Sequence, residues 1–537
     1  MGMWEDAGKQ DNLYLLPNDG GHLVLGKSRV WEIGEESFKK EKARWEKILE
    51  EKLVVGFFLK DLIKILKKYR IALPKTIFDC GVAMWTAASS IKTPELPQIG
   101  ELPKIYLSLV KNIKEKQLEK ILYEIEFPLI PILAEMESNG IGVDGKFLEK
   151  FKKEILGKAA ELENKIYKAS GAPFNINSPA QVSEILFEKL KIGGGGRRTK
   201  TGRRSTRESE LAKFKDKEPI VRNVLDYREL MKLLTTYIEP LLELSEKDGS
   251  PRSRFGGAGR VHTTFNQTGT VTGRLSSENP NLQNIPIRSE FGAKIRGAFA
   301  ASTGFTFAAF DYSQIELKIL AALSGDAKMI EAFKRGLDIH KFTASNINNV
   351  PMEKVTPEMR GRAKTINFGI VFGMGTRQLA RSTGMTLEEA GKFYREYFSD
   401  FPQISAYINK AKEDVKKNGF TQTLFGRKRF FNLDTVLGDD FLESEMERMA
   451  VNAIIQGTDA DIVKKAMIAV ADTLDSKKIR PILQIHDELL YEIEDDTIRE
   501  AIPRIRSLME GACQFAVPLS VDIKIGKRWG SLKIYAE

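Results

Sequence analysis

The sequence predicts a mixed α/β fold, α+β in arrangement and divided into several domains. Three observations carry that expectation. The chain has 537 residues, more than one hydrophobic core organises, so about two to four domains are expected. Strand-length apolar runs, at residues 54–58 and 305–310, are interspersed with long helical stretches, at 147–169 and 218–244. Two strand-like runs far apart in the chain lead to acids: 305–310 runs directly into Asp311, and 482–483 is followed, after Gln484, Ile485 and His486, by Asp487 and Glu488.

The elements follow in order. Residues 12–16 and 22–25 read as strands around the turn-rich segment Pro17, Asn18, Asp19, Gly20, Gly21. Residues 54–58 form another apolar run, and 61–69 a basic helix. A long helix opens at Glu126 and ends at Asn139, where Gly140 suits a left-handed αL stop. Helices over 147–169 and 218–244 flank four glycines, 193–196, and a run at 197–207 holding six cations and no acid. Such a run is ordinarily a solvated face or linker. From Arg260 the pattern turns to strands, residues 327–440 are mostly helical, and strands then return. There is no internal repeat.

Composition narrows the classes. Lys plus Arg number 83 against 73 Asp plus Glu, a formal net charge of +10 that suits a polyanionic partner. Cys80 and Cys513 are the only cysteines, so neither a disulfide framework nor a thiolate metal site is expected. The four histidines form no zinc-like cluster. No run of about eighteen apolar residues suggests a membrane span, and residues 1–6 lack a signal-peptide pattern. The expectation is a soluble, cytoplasmic protein of a reducing compartment.

Two segments carry the chemistry. Asp311, Tyr312, Ser313, Gln314, Ile315 and Glu316 follow one apolar run; His486, Asp487 and Glu488 follow the other. Phosphoryl transfer through two divalent ions requires carboxylates that converge on both. Each aspartate taken singly also reads as a strand-end residue solvating a turn. Between them, Arg360, Lys364, Phe368 and Phe372 recur every four residues. On a helix they form one stripe, two cations for a polyphosphate and two aromatic faces for a base or sugar. The alternative is an amphipathic helix with both phenylalanines in the core.

These three segments resemble motifs A, B and C of the family A DNA polymerases, the bacterial DNA polymerase I group. The resemblance continues through Thr272, Gly273, Arg274, Leu275, Ser276 and Ser277, through residues 281–286, and through residues 452–458, in order and from about residue 126 to 529. It implies a right-hand polymerase. Residues 126–250 would form the thumb, 251–326 the first part of the palm, 327–440 the fingers and 441–537 the second part of the palm. Residues 1–125 would form a degenerate RNase H-like 3′–5′ exonuclease domain. The implied activity is template-directed addition of dNTPs to a primer 3′ end. Primer-template DNA and dNTPs are the implied partners, with a monomeric, bacterial or viral enzyme and no membrane association.

The resemblance also implies roles. Asp311 and Asp487 would hold two Mg²⁺ ions, Mn²⁺ being able to substitute, with the backbone carbonyl of Tyr312 as a further ligand. Glu488 would be a supporting acid, or else a turn residue that tunes the field at Asp487. Arg360 and Lys364 would grip the triphosphate, Lys364 also protonating the pyrophosphate, and His340 would touch the same phosphates. Phe368 would stack near the sugar and base. Glu316 would fill the space of a 2′-hydroxyl. Arg274, Asn452, Gln456 and His486 would meet the DNA minor groove or the nascent pair. Asn281, Gln283, Asn284 and Arg288 would contact the template strand. Arg228 and Lys232 would hold phosphates, and Arg197, Arg198, Arg203 and Arg204 the duplex backbone at the thumb tip. Two departures bear on fidelity: Phe372 stands where many relatives carry Tyr, and Lys318 where Arg is common.

The first 125 residues lack the Asp-x-Glu pair and the Tyr-x-x-x-Asp motif of the family's exonuclease, although Asp61 and Asp79 lie near acid positions. No proofreading is therefore expected, and no segment resembles the family's 5′-nuclease domain. Two other readings are weighed. Glu316 and the full motif set speak against a single-subunit RNA polymerase. Joint retention of Asp311, Asp487, Arg360 and Lys364 speaks against a catalytically dead DNA-binding subunit.

Overall fold

The computed structural model describes residues 3–19, 21–89, 95–193, 198–199, 202–247, 259–286, 289–371 and 373–536. Arg197, Arg288 and Phe372 lie outside these.

The first sheet is built from β1 (Leu13–Asn18), β2 (Gly21–Leu25), β3 (Val30–Gly34), β4 (Val54–Gly56) and β5 (Ile77–Asp79), in the order β3-β2-β1-β4-β5. β1 pairs parallel with β4, and β4 with β5; the β1–β2 and β2–β3 pairs are antiparallel. Alternation along β1 buries both faces. Leu13 and Leu15 join one core with Trp45 and Leu62, while Tyr14 and Leu16 join a second with Phe78 and Leu122. Helix α1 (Leu59–Lys68) turns Leu59, Leu62, Ile63 and Leu66 inward, a 3.6-residue stripe.

The two acids of this region have local partners. Asp79 is buried and caps helix α2 (Cys80–Ala88), accepting from the Val82 amide at 3.0 Å and the Leu59 amide at 2.8 Å. Asp61 is exposed and pairs with Lys64 at 2.6 Å.

Helix α3 (Phe127–Asn139) begins one residue later than the sequence suggests, after a π-helical turn over Leu122–Glu126. Glu126 itself is helical, with φ −73° and ψ −47°, and its buried side chain is engaged by Arg427 and Lys464. Gly140 does end the helix, but not as an αL residue: its φ is +58° and its ψ −168°. That conformation is essentially confined to glycine, and an added Cβ would sit 2.7 Å from His262 Nδ1.

Helices α4 (Gly145–Ser170) and α5 (Pro219–Leu233) pack side by side. The cationic run is not a featureless linker where it is described. Arg198 and Arg204 form a bridge, and the Thr199 amide donates to the Arg203 carbonyl at 2.7 Å.

A second sheet follows, of β6 (Phe305–Tyr312), β7 (Ile479–Ile485), β8 (Glu488–Glu494), β9 (Val521–Gly526) and β10 (Lys533–Ile534), ordered β7-β8-β6-β9-β10 and wholly antiparallel. Phe307 and Phe310 of β6 are fully buried in the main core. Helices α6 (Ile315–Ser324), α7 (Ile339–Asn348), α8 (Pro357–Val371) and α9 (Asp440–Thr473) complete the frame of the site. Among the described residues no helix is long and apolar enough to cross a membrane.

Candidate active site

Antiparallel pairing assembles the acids. β6 is the central strand of its sheet, and its register sets Asp311 opposite Glu488 on β8 and opposite Asp522 on β9. Residues directly opposite share a sheet face, so the three carboxylates lie in a row. Asp487 occupies the two-residue turn between β7 and β8, beside His486, which is exposed and takes φ +56°. The Tyr312 amide donates to the Asp487 carbonyl at 3.2 Å, tying the two aspartate segments together. The Tyr312 hydroxyl donates to the Met509 carbonyl at 2.6 Å, which fixes that residue from below. Glu488 is thus a strand residue, not a turn residue.

Burial, reinforced by Asp487 and Glu488, pushes the Asp311 carboxyl up to about 7. Burial also raises Asp487 and Glu488. Glu488 Oε1 is buried with no hydrogen-bond partner. Among the described residues no group of three or more His, Cys, Asp or Glu side chains encloses a metal position. Asp311, Asp487 and Glu488 supply hard carboxylate oxygens, a donor type that fits Mg²⁺, an ion that keeps water and substrate phosphate among its ligands.

Asp311, Asp487 and Glu488 line a cleft of about 1000 Å³. Arg228 and Lys232 of α5, Gln283, Asn284 and Arg296 also line it. Gln283 donates through Nε2 to the Gln484 carbonyl at 3.0 Å, and Asn281 Oδ1 accepts from the amides of Gln283 and Asn284, so this loop is preformed. Lys232 is exposed. Arg228 is half-buried and donates to the carbonyls of Ile176 and Thr206, leaving Nη2 without a partner. Arg204 is tied to the Gly193 carbonyl at 2.7 Å and lies over the Phe187 ring, whereas Arg198 and Arg203 are exposed.

Helix α8 presents Arg360 and Lys364 to solvent and leaves Phe368 partly exposed. The four-residue stripe holds from Arg360 to Phe368; Phe372 lies outside the described residues. Arg360 Nε pairs with Asp338 at 2.8 Å, and Asp338 caps α7 through the amides of His340 and Lys341. His340 is buried beside Phe368, with ring centroids 5.5 Å apart. Burial lowers it to about 4, so the ring is neutral. Its Nδ1 accepts from Asn367 Nδ2 at 3.1 Å, which leaves the proton on Nε2.

Arg274 Nη2 is bound at 2.7 Å to Glu316 and at 2.7 Å to Asp459, so in this state it is held by two acids. Asn452 and Gln456 lie one turn apart on α9 and are both partly exposed amid buried neighbours. Lys318 is buried and donates to Ser520 Oγ at 2.6 Å.

Sequence reasoning missed Asp459, Asp522 and Arg296. Arg296 is half-buried with its guanidinium 4.1 Å over the Trp529 ring, near Glu488. The alternation of β9 was the available signal for Asp522. Asp459 lies three residues beyond Gln456, a helical neighbour with no strand or motif to mark it.

The model of DNA polymerase family A matches residues 145–531. The chain is 43% identical over 420 residues to the thermostable DNA polymerase I of Thermus aquaticus, covering 78% of this chain and 49% of that protein. It is 42% identical over 429 residues to DNA polymerase I of Bacillus subtilis, covering 79% and 47%. The chain thus spans about half the length of these curated relatives. Among solved structures it resembles the POL domain of Pol1 from M. smegmatis in complex with DNA primer-template and dNTP. That match has a TM-score of 0.86 and 30% identity, over 97% of this chain and 95% of that one. A family match over most of the chain, on a fold that sets two motif aspartates in one cleft, makes this chain a member of DNA polymerase family A.

Proposed function

We propose that the chain is a DNA-directed DNA polymerase that extends a primer 3′ end with dNTPs on a DNA template. The observation that carries this is the strand register, which sets Asp311 against Glu488, with Asp487 in the adjoining turn, in a cleft flanked by cations. Thumb, palm and fingers would divide as residues 126–250, 251–326 with 441–537, and 327–440. The enzyme would act as a cytoplasmic monomer.

Asp311, Asp487 and the Tyr312 carbonyl would hold two divalent ions, which supply activation of the primer 3′-hydroxyl and neutralisation of the triphosphate. Arg360 forks onto the triphosphate, exchanging Asp338 for phosphate oxygens. Lys364 adds a point charge and delivers a proton to the departing pyrophosphate. Neutral His340 donates from Nε2 to the same phosphates. Phe368 stacks at the sugar and base. Glu316 fills the 2′ position. Arg274, Asn452, Gln456 and His486 probe the minor groove, where acceptors are common to all four correct pairs. Arg228, Lys232 and the thumb-tip arginines hold the DNA backbone.

The first 125 residues are proposed to be an exonuclease-like domain without exonuclease chemistry. The order of its sheet is compatible with an RNase H-like layout, but β1 carries Leu13, Tyr14, Leu15 and Leu16 rather than acids, and Asp79 is a helix cap. The direct test is primer extension with single dNTPs, with and without Mg²⁺. Templated, Mg²⁺-dependent incorporation is expected; failure to incorporate the complementary dNTP rejects the proposal.

A further inference from the structure

We propose that Asp459 is a positioning residue for sugar selection: it anchors the Arg274 guanidinium and, through it, fixes the Glu316 carboxylate. The inference rests on the polymerase reading and gives one further residue of that site a defined task.

Asp459 projects from α9 and is 1% exposed. Its Oδ2 accepts from Arg274 Nη2 at 2.7 Å, and the same nitrogen donates to Glu316 Oε1 at 2.7 Å. One guanidinium nitrogen therefore ties the first turn of α6, just past Asp311, to the α9 face that carries Asn452 and Gln456. The rest of the Arg274 loop is fixed as well. The Arg274 carbonyl accepts from Thr270 Oγ1 at 2.7 Å, and Gly273, at φ +91°, packs where a Cβ would meet Arg427.

A second acid is not required to neutralise Arg274, because Glu316 already does so. Asp459 is also expensive to bury. Its Oδ1 has no partner, and burial, with Asp487 and Glu316 adding to it, pushes its carboxyl up to about 7. A carboxylate that costs stability and neutralises nothing further does have a geometric consequence. With Nη2 gripped from both sides, Arg274 cannot follow Glu316 when that side chain rotates. Glu316 is then held at one position, the condition a steric gate needs.

The test is single-nucleotide insertion by wild type, Asp459→Ala, Glu316→Ala and the double variant. It is read as kcat/KM for a dNTP and for the rNTP of the same base. The dNTP-over-rNTP ratio should fall about tenfold in Asp459→Ala, within the coupling range of hydrogen-bonded neighbours. It should fall no further when Asp459→Ala is added to Glu316→Ala. Loss of one partner of a buried ion pair is expected to lower the melting temperature, so the nucleotide ratio, which a general loss of stability leaves unmoved, is the deciding readout. Asp459→Asn provides the same comparison should the alanine variant fail to fold.

An unchanged ratio overturns the proposal. So does an equal loss toward both nucleotides, or a tenfold effect that persists in the Glu316→Ala background. A wild-type protein that inserts neither nucleotide sinks the polymerase reading as well, and is distinguished because the loss precedes any substitution.

Discussion

Asp311 lies on the central strand of its sheet with acids in register on both neighbours, Glu488 and Asp522, and burial holds its carboxyl up to about 7. In metal-free protein the native state therefore binds this proton more readily than the unfolded chain between about pH 4 and 7. Stability falls as pH rises through that window. Asp311→Asn should raise the melting temperature at pH 8 in chelator by ~1–2 °C, and the gain should vanish near pH 4; thermal scans at both pH values check it. The same variant should lose extension, a conflict between stability and chemistry that is common at active sites. Phe368 makes a separate case. Partly exposed beside His340, it offers no hydroxyl to a sugar that lacks its 3′-hydroxyl. Phe368→Tyr should therefore raise dideoxynucleotide use relative to dNTP by at least ~10-fold in kcat/KM, the scale of one well-placed hydrogen bond to a polar or charged group. Asp311, Asp487, Arg360 and Lys364 were legible in the sequence because their types and spacing report their chemistry locally. Asp459 was not. Its significance depends on a guanidinium 185 residues away in the chain, and only packing brings the two together.

The described part of the cationic run divides once it is folded. Arg204 is engaged by the Gly193 carbonyl and the Phe187 ring, whereas Arg198 and Arg203 are exposed, Arg198 donating to the Gly202 carbonyl at 2.7 Å. Replacing Arg198 and Arg203 by Gln should flatten the plot of log K against log salt by up to about 0.9 per lost phosphate contact, with no change in melting temperature. Titration of a labelled duplex across salt concentrations measures it, and an unaltered slope would assign these residues to solvent. Helices were the most legible elements, because burial at 3.6-residue spacing, as in α1 and α4, is written into the apolar pattern. Their ends were less so. Glu126 looks like an ordinary first residue of α3, yet its carboxylate is held by Arg427 and Lys464 in a buried network that also binds Asp461. Gly140 was correctly read as a stop, but its backbone is set by the close approach of His262 and not by an αL cap.

At the scale of the molecule, the N-terminal unit and the polymerase region share contacts. The Trp85 ring lies 5.3 Å from the Arg427 guanidinium, and its Nε1 donates to the Thr270 carbonyl at 3.1 Å, on the loop that carries Arg274. A domain that braces this loop has a structural task independent of nuclease chemistry. A labelled primer with a mismatched 3′ end, incubated with Mg²⁺ and no dNTP, should accordingly remain full length; shortening that persists in Asp311→Ala would place an active nuclease in the first 125 residues. The family was legible because six motifs occur in sequence, while the pairing of Asp311 with Glu488 and Asp522 was not, since register between distant strands leaves no local trace. The central claim is that Asp311 and Asp487 carry the chemistry while cations elsewhere carry the DNA. Single-turnover extension by Asp311→Ala and Asp487→Ala, alongside primer-template affinity, tests it most directly. Rates lowered by more than ~1000-fold, some 4 kcal/mol of transition-state stabilisation, are expected with affinity within about threefold of wild type; near-normal rates in either variant would remove Asp311 and Asp487 from the chemistry.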